Sequence, residues 1–423
     1  MAVMELLSPA GTLKHMRYAF AYGADAVYAG LPRYSLRVRN NDFLKDNLAI
    51  GIEEAHRNGK KFYLAANVLP HNSKVKTFIK DFTPIIEMGP DALIMADPGL
   101  ILLVRETWPQ MPIHLSVQAN TMNYAAVRFW RQIGIERIIL SRELSLEEIE
   151  EIRQQCPDIE LEVFVHGALC IAYSGRCLLS GYFNHRDPNQ GTCTNACRWE
   201  YKVKPAEAGG VERHPAAEQE FVLEDPGRPG EVMPIVEDEH GTYIMNSKDL
   251  RAVEHVHKLR EIGVDCLKIE GRTKSHYYVA RTAQVYRQAI DDAEAGRSFD
   301  PKLLGVLENL ANRGYTDGFY QRHHSHEYQN YIQGASKAHR QQFVGEVEDY
   351  DSGRSMAQVL IKNKLRVGDR IEWISPEGNR DEMVEYLEDL DGNPLEEAPG
   401  GGWRVRIPVP KVAGGYDLVA RYF

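Results

Sequence analysis

The 423-residue sequence predicts an α/β protein, in which a (β/α)8 barrel of the TIM type precedes a small β-barrel. Residues 1–292 alternate short apolar runs with helical segments eight times, and no G-x-G-x-x-G follows the first run. An open doubly wound sheet is the alternative, but that fold does not call for eight units. After residue 343 the pattern changes to short strands separated by turns, which is typical of a small β-barrel.

The eight predicted strands are short apolar runs bounded by turn or helix signals. They are Glu5–Leu7, Ala26–Gly30, Lys61–Asn67, Ala92–Asp97, Ile113–Asn120, Arg137–Glu143, Leu161–His166 and Cys266–Glu270. A helix is predicted to begin at 248 and to lead into the eighth strand, with Ser247 as its N-cap. The predicted domains are 1–295 for the barrel, including a cysteine-rich insertion at 168–247, then a connector at 296–340 and the small β-barrel at 341–423.

Polar residues stand at the ends of all eight predicted strands. Barrel enzymes place their active sites at the carboxyl ends of the strands, although part of this polarity is expected from solvation of the rim. The sequence therefore predicts a polar barrel mouth. The strand-end residues are Ser8, Tyr28, Asn67, Asp97, Gln118 with Asn120, Arg142 with Glu143, His166, and Lys268 with Glu270.

Four of the six cysteines lie within the stretch 163–201, in the pattern C-x6-C-x15-C-x3-C. They are Cys170, Cys177, Cys193 and Cys197. Four thiols this close together predict a soft-metal site, and the spacing alone leaves both zinc and a 4Fe-4S cluster open. Disulfides are the alternative, which the absence of an export signal disfavours. Cys156 and Cys266 are predicted to be small apolar core residues.

Composition restricts the possible partners. The formal net charge of −10 argues against indiscriminate binding of polyanions, so any RNA contact requires a local basic patch. No window approaches 18 apolar residues and no leader pattern opens the chain, so we expect a cytoplasmic protein without membrane attachment. A histidine cluster in the connector, at His323, His324 and His326, has loose spacing and favours a solvated loop over a metal site.

Several motifs resemble those of a known family. The stretch HGALC-x-AYSGRCLLS, followed by RDPNQG-x-CTN-x-CRWEY, is similar to the signature of the collagenase-like U-32 peptidase family. The motifs ELLSPAGTLK, SLRVRN, LSVQAN, SRELSLEEI and MNSKDL extend the resemblance over residues 4–290, and one tRNA-modifying branch resembles the chain to its C-terminus. In that branch the peptidase label is historical.

The resemblance implies 5-hydroxylation of the wobble uridine in tRNA, dependent on prephenate and on the iron–sulfur assembly machinery. It also implies a 4Fe-4S cluster on the four clustered cysteines, as in related hydroxylation proteins. We predict catalytic roles for His166, Glu143, Lys268 and Glu270. A satisfied core histidine is an equally good interpretation of His166. An internal salt-bridge set is the alternative for Lys268, Glu270 and Arg272, which alternate along the chain.

Prephenate carries two carboxylates, which arginine forks recognise well. We predict substrate contacts from Arg142, Arg272, Asn67, Gln118, Asn120, Arg37 and Arg39. Arg37 and Arg39 follow the second strand and are equally compatible with tRNA phosphate or with a solvated loop. RNA contacts are predicted for Arg176, Arg186 and Arg198, which belong to the basic part of the insertion.

Three rival functions are less compatible with the sequence. A peptidase needs an activated nucleophile or a water-bearing metal, but neither G-x-S-x-G nor H-E-x-x-H occurs. A non-catalytic RNA-binding protein with structural zinc has no need of a polar barrel mouth. A radical S-adenosylmethionine enzyme needs C-x3-C-x2-C, and Cys197 is followed by Arg198-Trp199-Glu200 with no third cysteine.

Overall fold

The computed structural model describes residues 3–36, 42–169, 248–312, 314–321, 341–409 and 415–423, and the backbone of four short strands between 222 and 243. Eight parallel strands form a closed barrel, which confirms the predicted fold class. The first seven are β1 (Glu5–Pro9), β2 (Ala26–Gly30), β3 (Lys61–Ala66), β4 (Ala92–Met95), β5 (Ile113–Leu115), β6 (Arg137–Ile139) and β7 (Glu160–Ala168). The eighth barrel strand is β13 (Cys266–Ile269), because five short strands, β8 to β12, lie between it and β7 in the chain. It closes the barrel by pairing with both β1 and β7.

Helices cover the outside of the barrel between the strands. They are α1 (Leu13–Ala21), α2 (Lys45–Arg57), α3 (Asn72–Val75), α4 (Phe78–Ile86), α5 (Pro98–Thr107), α6 (Tyr124–Gln132), α7 (Leu146–Gln155), α8 (Val256–Ile262), α9 (His276–Glu294) and α10 (Lys302–Glu308). Local signals start several of them. Asp97, Asn123 and Ser275 each accept a hydrogen bond from a first-turn amide, and Ser145 forms a reciprocal capping box with Glu148.

Two predicted strands are shorter in the structure by four residues or more. The fifth ends at Leu115 because the Ser116 side chain accepts a hydrogen bond from Gln118 N and starts a 3-10 turn, Val117–Ala119. Asn120 then adopts a left-handed backbone with φ of 51°. The sixth strand ends at Ile139. The polar ends of both segments therefore lie on loops at the barrel rim.

The segment after Lys248 differs from the prediction. Asp249–Arg251 forms a strand, β12, which pairs antiparallel with the end of β7, where the sequence had predicted the start of a helix. The helix α8 begins only at Val256, after a 3-10 turn at Val253–His255. Ser247, the predicted N-cap, lies outside the described residues. The residues predicted to start a helix form a strand instead, because they pair with the edge of β7 that extends beyond the barrel.

The insertion is described only as backbone hairpins. Strands β8 (Val222–Glu224) and β9 (Val232–Pro234) pair with each other, and so do β10 (Val236–Asp238) and β11 (Gly241–Tyr243). A two-residue strand in the connector, β14 (Tyr315–Thr316), pairs with β12 and extends the sheet beyond the barrel.

The C-terminal segment forms an antiparallel half-barrel. Its strands are β15 (Gln341–Asp351), β16 (Met356–Ile361), β17 (Asn363–Arg366), β18 (Arg370–Ile374), β19 (Arg380–Met383), β20 (Glu397–Gly400), β21 (Arg404–Pro408) and β22 (Leu418–Tyr422). Six of these strands form one sheet in the order β19-β18-β22-β15-β16-β21, while β17 pairs with β20. Trp373 is fully buried in its core and donates to Asp417 Oδ2 over 2.7 Å.

The half-barrel packs on the helix layer formed by α1 and α9. Ile374, Leu418 and Ala420 join the hydrophobic core of the barrel. The fully buried Arg281 of α9 donates to Glu372 Oε2 over 3.0 Å. Tyr22, the C-cap of α1, donates to the carbonyl of Ile374 over 3.0 Å. Among the described residues, no helix is both long enough and apolar enough to cross a membrane.

Candidate active site at the mouth of the barrel

A cavity of about 60 Å³ lies at the carboxyl ends of the barrel strands. Its wall combines residues from the strands themselves with residues from the loops that follow them. They are Tyr28, Leu36, Ala65, Asn67, Ile94, Ser116, Val117, Gln118, Ile139, Arg142, Phe164, Lys268, Glu270 and Arg272. Seven residues predicted from the sequence therefore meet in one place: Tyr28, Asn67, Gln118, Arg142, Lys268, Glu270 and Arg272.

Arg142 and Glu270 form an ion pair in the cavity wall. Arg142 Nη2 donates to Glu270 Oε2 over 3.1 Å, and both side chains are largely buried. The guanidinium also lies 3.8 Å from the centre of the Phe164 ring. Gly271 N donates to the other carboxylate oxygen, Oε1, over 3.1 Å. These contacts hold a planar cation and a carboxylate side by side, which is the arrangement expected of an anion-binding or proton-transfer site.

Arg272 is held by the loop that follows β2. It donates to the carbonyl of Leu36 and, over 3.5 Å, to Ser35 Oγ. Gly30 makes room for the guanidinium, because a Cβ at that position would lie 2.1 Å from Arg272 Nη1. The guanidinium therefore packs against the backbone at position 30, where glycine leaves the space that a side chain would fill.

Asn67 connects that loop to the end of β5. Its Oδ1 accepts from Leu36 N over 3.1 Å, and its Nδ2 donates to Ser116 Oγ over 3.3 Å. These two bonds orient the amide in the cavity wall. Ser116, Leu36 and Phe164 were missed by sequence reasoning, although Ser116 lies in the LSVQAN motif that already marked Gln118.

Lys268 lines the cavity and also forms an ion pair with Glu162, toward the amino end of the barrel. Its ammonium donates to Glu162 Oε1 over 2.7 Å, and it lies 4.5 Å from the centre of the Tyr28 ring. Glu162 is fully buried and also contacts Arg137. Lys268 thus takes part in a buried salt-bridge set with Glu162 and Arg137, which is a different set from the one of Lys268, Glu270 and Arg272 that the sequence had left as an alternative.

His166 lies outside the cavity. The pairing of β7 with β13 shifts register between Lys268 and Ile269, so that Lys268 pairs with Phe164 and Ile269 pairs with His166. This bulge sends Phe164 to the lumen and His166 to the helix layer.

The ring of His166 packs among Tyr278, Tyr286 and Tyr315. Burial, followed by the charges of Lys274 and Arg251, lowers the pKa of His166 to about 3, so its ring is neutral at physiological pH. The expected position of His166 beside the cavity is therefore not the position that it occupies.

Four further strand-end residues predicted for the mouth also lie off the cavity wall: Ser8, Asp97, Asn120 and Glu143. Glu143 follows β6, and its carboxylate accepts a hydrogen bond from Ser141 Oγ. Asn120 ends the 3-10 turn after β5, and its side chain donates to the carbonyl of Gln118 over 3.3 Å. Neither side chain lines the cavity in the described structure. Both lie on the rim of the barrel, on the loops that carry Arg142 and Gln118.

The remaining predicted residues fall outside the described part of the chain. They are Arg37, Arg39, Cys170, Cys177, Cys193, Cys197, Arg176, Arg186 and Arg198, together with the histidines at 323, 324 and 326. The other two cysteines, Cys156 and Cys266, are free and buried. The insertion that carries the clustered cysteines begins where β7 ends, at Ala168. The same strand contributes Phe164 to the cavity wall.

Comparison with known sequences now identifies the family. The sequence profile of peptidase family U32 matches residues 11–330, and that of the family's C-terminal domain matches residues 339–420. The chain belongs to peptidase family U32. The U32 profile spans seven of the eight barrel strands, all but β1, and the cavity residues all lie within the matched region.

Individual relatives cover nearly the whole chain. The chain is 61% identical to tRNA hydroxylation protein P of Escherichia coli, over 99% of this chain and 97% of that protein. It is 59% identical to the Haemophilus influenzae protein of the same name, over 99% and 96%. Among solved structures, the C-terminal domain of a U32 peptidase from Geobacillus thermoleovorans is 32% identical over 18% of this chain and 96% of that domain, with a TM-score of 0.18.

Proposed function

We propose that this protein hydroxylates the wobble uridine of tRNA at carbon 5, with prephenate as co-substrate and an iron–sulfur cluster as cofactor. The observation that carries the proposal is the 61% identity, over 99% of the chain, to a protein named for tRNA hydroxylation. The polar cavity at the barrel mouth supports it, because this is where barrel enzymes carry out chemistry.

The cavity suits a dicarboxylate such as prephenate. Arg142 and Arg272 both line it, and each is buried enough for its charge to act in a poorly hydrated site. An incoming carboxylate would compete with Glu270 for Arg142. In this proposal, substrate binding releases the Glu270 carboxylate, which then accepts or returns a proton beside the bound molecule.

The same cavity offers little to a peptidase. Its described wall contains neither cysteine nor histidine, and the Oγ of its one serine, Ser116, accepts a hydrogen bond from Asn67. Both hydrogen bonds that Ser116 Oγ accepts come from amides, Asn67 Nδ2 and Gln118 N, and an amide cannot serve as the base that activates a serine nucleophile. This observation favours the hydroxylation proposal over the activity in the family's name.

Four cysteines supply the donor set for the cofactor. Thiolates are the usual ligands of a 4Fe-4S cluster, and Cys170, Cys177, Cys193 and Cys197 would hold it, with zinc as the alternative. A bound cluster would supply one-electron chemistry. The insertion that carries these cysteines leaves β7 at the carboxyl end of the barrel, which is also the end that holds the cavity. The iron–sulfur assembly machinery would load the site.

tRNA is the proposed macromolecular substrate. Arg176, Arg186 and Arg198 belong to the same insertion and would contact phosphates near the cavity. The half-barrel of residues 341–422 would provide a second surface along the tRNA, since one cavity of about 60 Å³ holds at most a small part of it.

Nucleoside analysis tests the function. tRNA is isolated from cells that lack this protein and any parallel hydroxylation pathway, with and without the gene restored. We expect 5-hydroxyuridine derivatives to appear only when the gene is restored. Undiminished derivatives in the deletion strain, or proteolysis by the purified protein, would show that the proposed function is wrong.

An iron and sulfide assay on anaerobically purified protein tests the cofactor. Each of Cys170→Ser, Cys177→Ser, Cys193→Ser and Cys197→Ser should remove the visible absorption of the cluster. Cys156→Ser is the matched control, because Cys156 is buried in the barrel and should leave the spectrum unchanged. Stoichiometric zinc without iron in the wild-type protein would contradict the cluster.

A further inference from the structure

A groove of about 390 Å³ lies on the outside of the barrel, between the start of α2 and helix α4. The loop after β2, at residues 31–34, forms its third side. We call it the α2–α4 groove. Its size lies within the range of small-molecule sites, and its lining does not overlap that of the cavity at the barrel mouth.

The floor of the α2–α4 groove is apolar. Phe43 and Phe82 are fully buried beneath it, and Tyr34 packs edge-on against Phe82 with ring centres 5.1 Å apart. Leu44 stands at its edge and is 64% exposed. An exposed leucine beside a rigid aromatic floor is a surface that a flat apolar group would cover.

The rim of the groove is basic. Arg33, Lys45 and Lys80 line it, against a single acid, Asp81, to which Arg33 donates over 2.7 Å. Within the described residues, Lys45 and Lys80 are exposed and form no ion pair. The excess of cations contrasts with the net charge of −10 for the whole chain. A local positive surface on an acidic protein favours a specific anion.

The start of α2 adds to the positive potential. Its N-cap is Leu44, whose side chain cannot accept a hydrogen bond, so no side chain caps the first turn. Asp46 lies in that turn but does not line the groove. A ligand with an apolar face and an anionic group therefore matches both the floor and the rim, and a nucleotide has these two properties.

The groove adjoins the cavity through one loop. Tyr34 lies in the groove, while Leu36 lines the cavity and donates its amide to Asn67. Two residues of backbone, at most about 7 Å, separate the two positions. The two sites are therefore close enough along this loop for neighbouring nucleotides of one strand to occupy them.

We propose that the α2–α4 groove binds the tRNA nucleotide next to the one that is modified. The base lies against Leu44, and the phosphates contact Lys45 and Lys80. This inference rests on the proposed function, since it takes the substrate in the cavity to be part of an RNA strand. It adds a second contact site for the substrate strand, away from the arginines of the insertion.

The test measures the affinity of the full-length protein for an anticodon stem-loop by fluorescence anisotropy over a range of salt concentrations. Lys45→Glu with Lys80→Glu should weaken binding by about tenfold or more and should reduce the salt slope by about 1.4, or 0.7 for each phosphate. Leu44→Ser should weaken binding a few-fold without changing the slope.

The charge-matched control is Lys258→Glu with Lys302→Glu, on helices α8 and α10, and it should leave affinity and slope near the wild-type values. Equal effects of the two double variants would overturn the groove assignment, and so would wild-type protein that does not bind the stem-loop. A photo-crosslink from position 44 to a protein in cell extract, and not to the stem-loop, would assign the groove to a peptide and contradict the proposal.

The proposed function is judged by a separate measurement. If restoring the wild-type gene restores 5-hydroxyuridine while the two double variants bind alike, the groove is wrong and the hydroxylation stands. If the wild-type gene restores nothing, the proposed function fails, whatever the binding curves show. The two failures are therefore distinguishable.

Discussion

The two ends of the barrel lumen contain the same kinds of charged residue in different arrangements. At the amino end, Arg137 contacts Glu5 over 2.6 Å, Glu160 over 2.7 Å and Glu162 over 3.4 Å. Glu162 also accepts from Lys268. At the carboxyl end, Arg142 pairs with Glu270, while Arg272 donates to a hydroxyl and a backbone carbonyl around a cavity.

The difference shows what separates a structural charge network from a candidate site. In the amino-end network each carboxylate faces a cation at contact distance. Burial raises the pKa of Glu5, and the charge of Arg137, its hydrogen bond and Lys61 outweigh this effect, so that the pKa is lowered overall. At the mouth, two arginines face a shared volume. Burial of charge is common to both ends, and so is open volume, because a cavity of about 290 Å³ is lined by Glu5, Arg137 and Glu160. The ends differ in the partners of their arginines, since Arg137 contacts carboxylates whereas Arg272 donates to a hydroxyl and a backbone carbonyl.

The largest effect is expected from breaking the amino-end network. Arg137→Ala removes the buried cation that Glu5, Glu160 and Glu162 share, so it should lower the free energy of unfolding by about 3–5 kcal/mol. Urea unfolding measures this change. The control is Arg57→Ala, which removes an exposed pair with Glu53 and should cost about 0.3–0.5 kcal/mol. Similar costs for both variants would contradict the contrast between the two ends.

A smaller effect is expected from His166, through pH. Its pKa is about 3 in the folded protein and near 6.5 when unfolded, so the unfolded chain takes up the proton first as pH falls. The stability is complete above about pH 6.5 and declines below it, by up to about 1.4 kcal/mol per pH unit. Urea unfolding at about pH 7 and about pH 5 should show this loss, and His166→Gln should reduce it.

The hydroxylation activity of His166→Gln tests whether His166 takes part in the chemistry at the barrel mouth. Because His166 packs on tyrosines outside the cavity, His166→Gln should retain most of the hydroxylation measured for the wild type. Loss of hydroxylation in a folded variant that still binds prephenate would place His166 in the chemistry, as the sequence predicted.

A change confined to the barrel mouth should affect prephenate affinity. Gly30→Ala should displace the Arg272 guanidinium and weaken prephenate binding by about tenfold or more, as should Arg272→Ala. Isothermal titration calorimetry measures the affinity. Gly305→Ala is the control, since a Cβ there meets nothing within 4 Å. Unchanged affinity in both mouth variants would show that Arg272 does not bind the co-substrate.

The smallest effect is expected from Ser116→Ala. It removes the acceptor of the Asn67 amide, a neutral hydrogen bond worth about 0.5–1.5 kcal/mol. Prephenate affinity should fall a few-fold at most, and the salt dependence of stem-loop binding should be unchanged. A loss as large as that of Arg272→Ala would mean that Ser116 contacts the substrate directly.

The sequence alone determined the barrel and most of its mouth. Strand formation follows from local apolar runs, and the polar residue at each strand end is read directly from the chain. For this reason Tyr28, Asn67, Gln118, Arg142, Lys268 and Glu270 were predicted before their positions were known, and all six line the cavity, together with Arg272 just beyond the eighth strand. The spacing of the four cysteines was equally visible, and their geometry stays a prediction.

Only the tertiary structure decided where the remaining residues point. The bulge between β7 and β13 depends on the register of two segments about 100 residues apart, and it sends His166 away from the lumen. The strand β12 forms because β7 extends beyond the barrel and offers a free edge. The partners of Arg272 and Lys268 likewise come from distant segments, Leu36 from the loop after β2 and Glu162 from β7. Such contacts depend on how the strands pair across the barrel, and no local pattern in the sequence encodes that pairing.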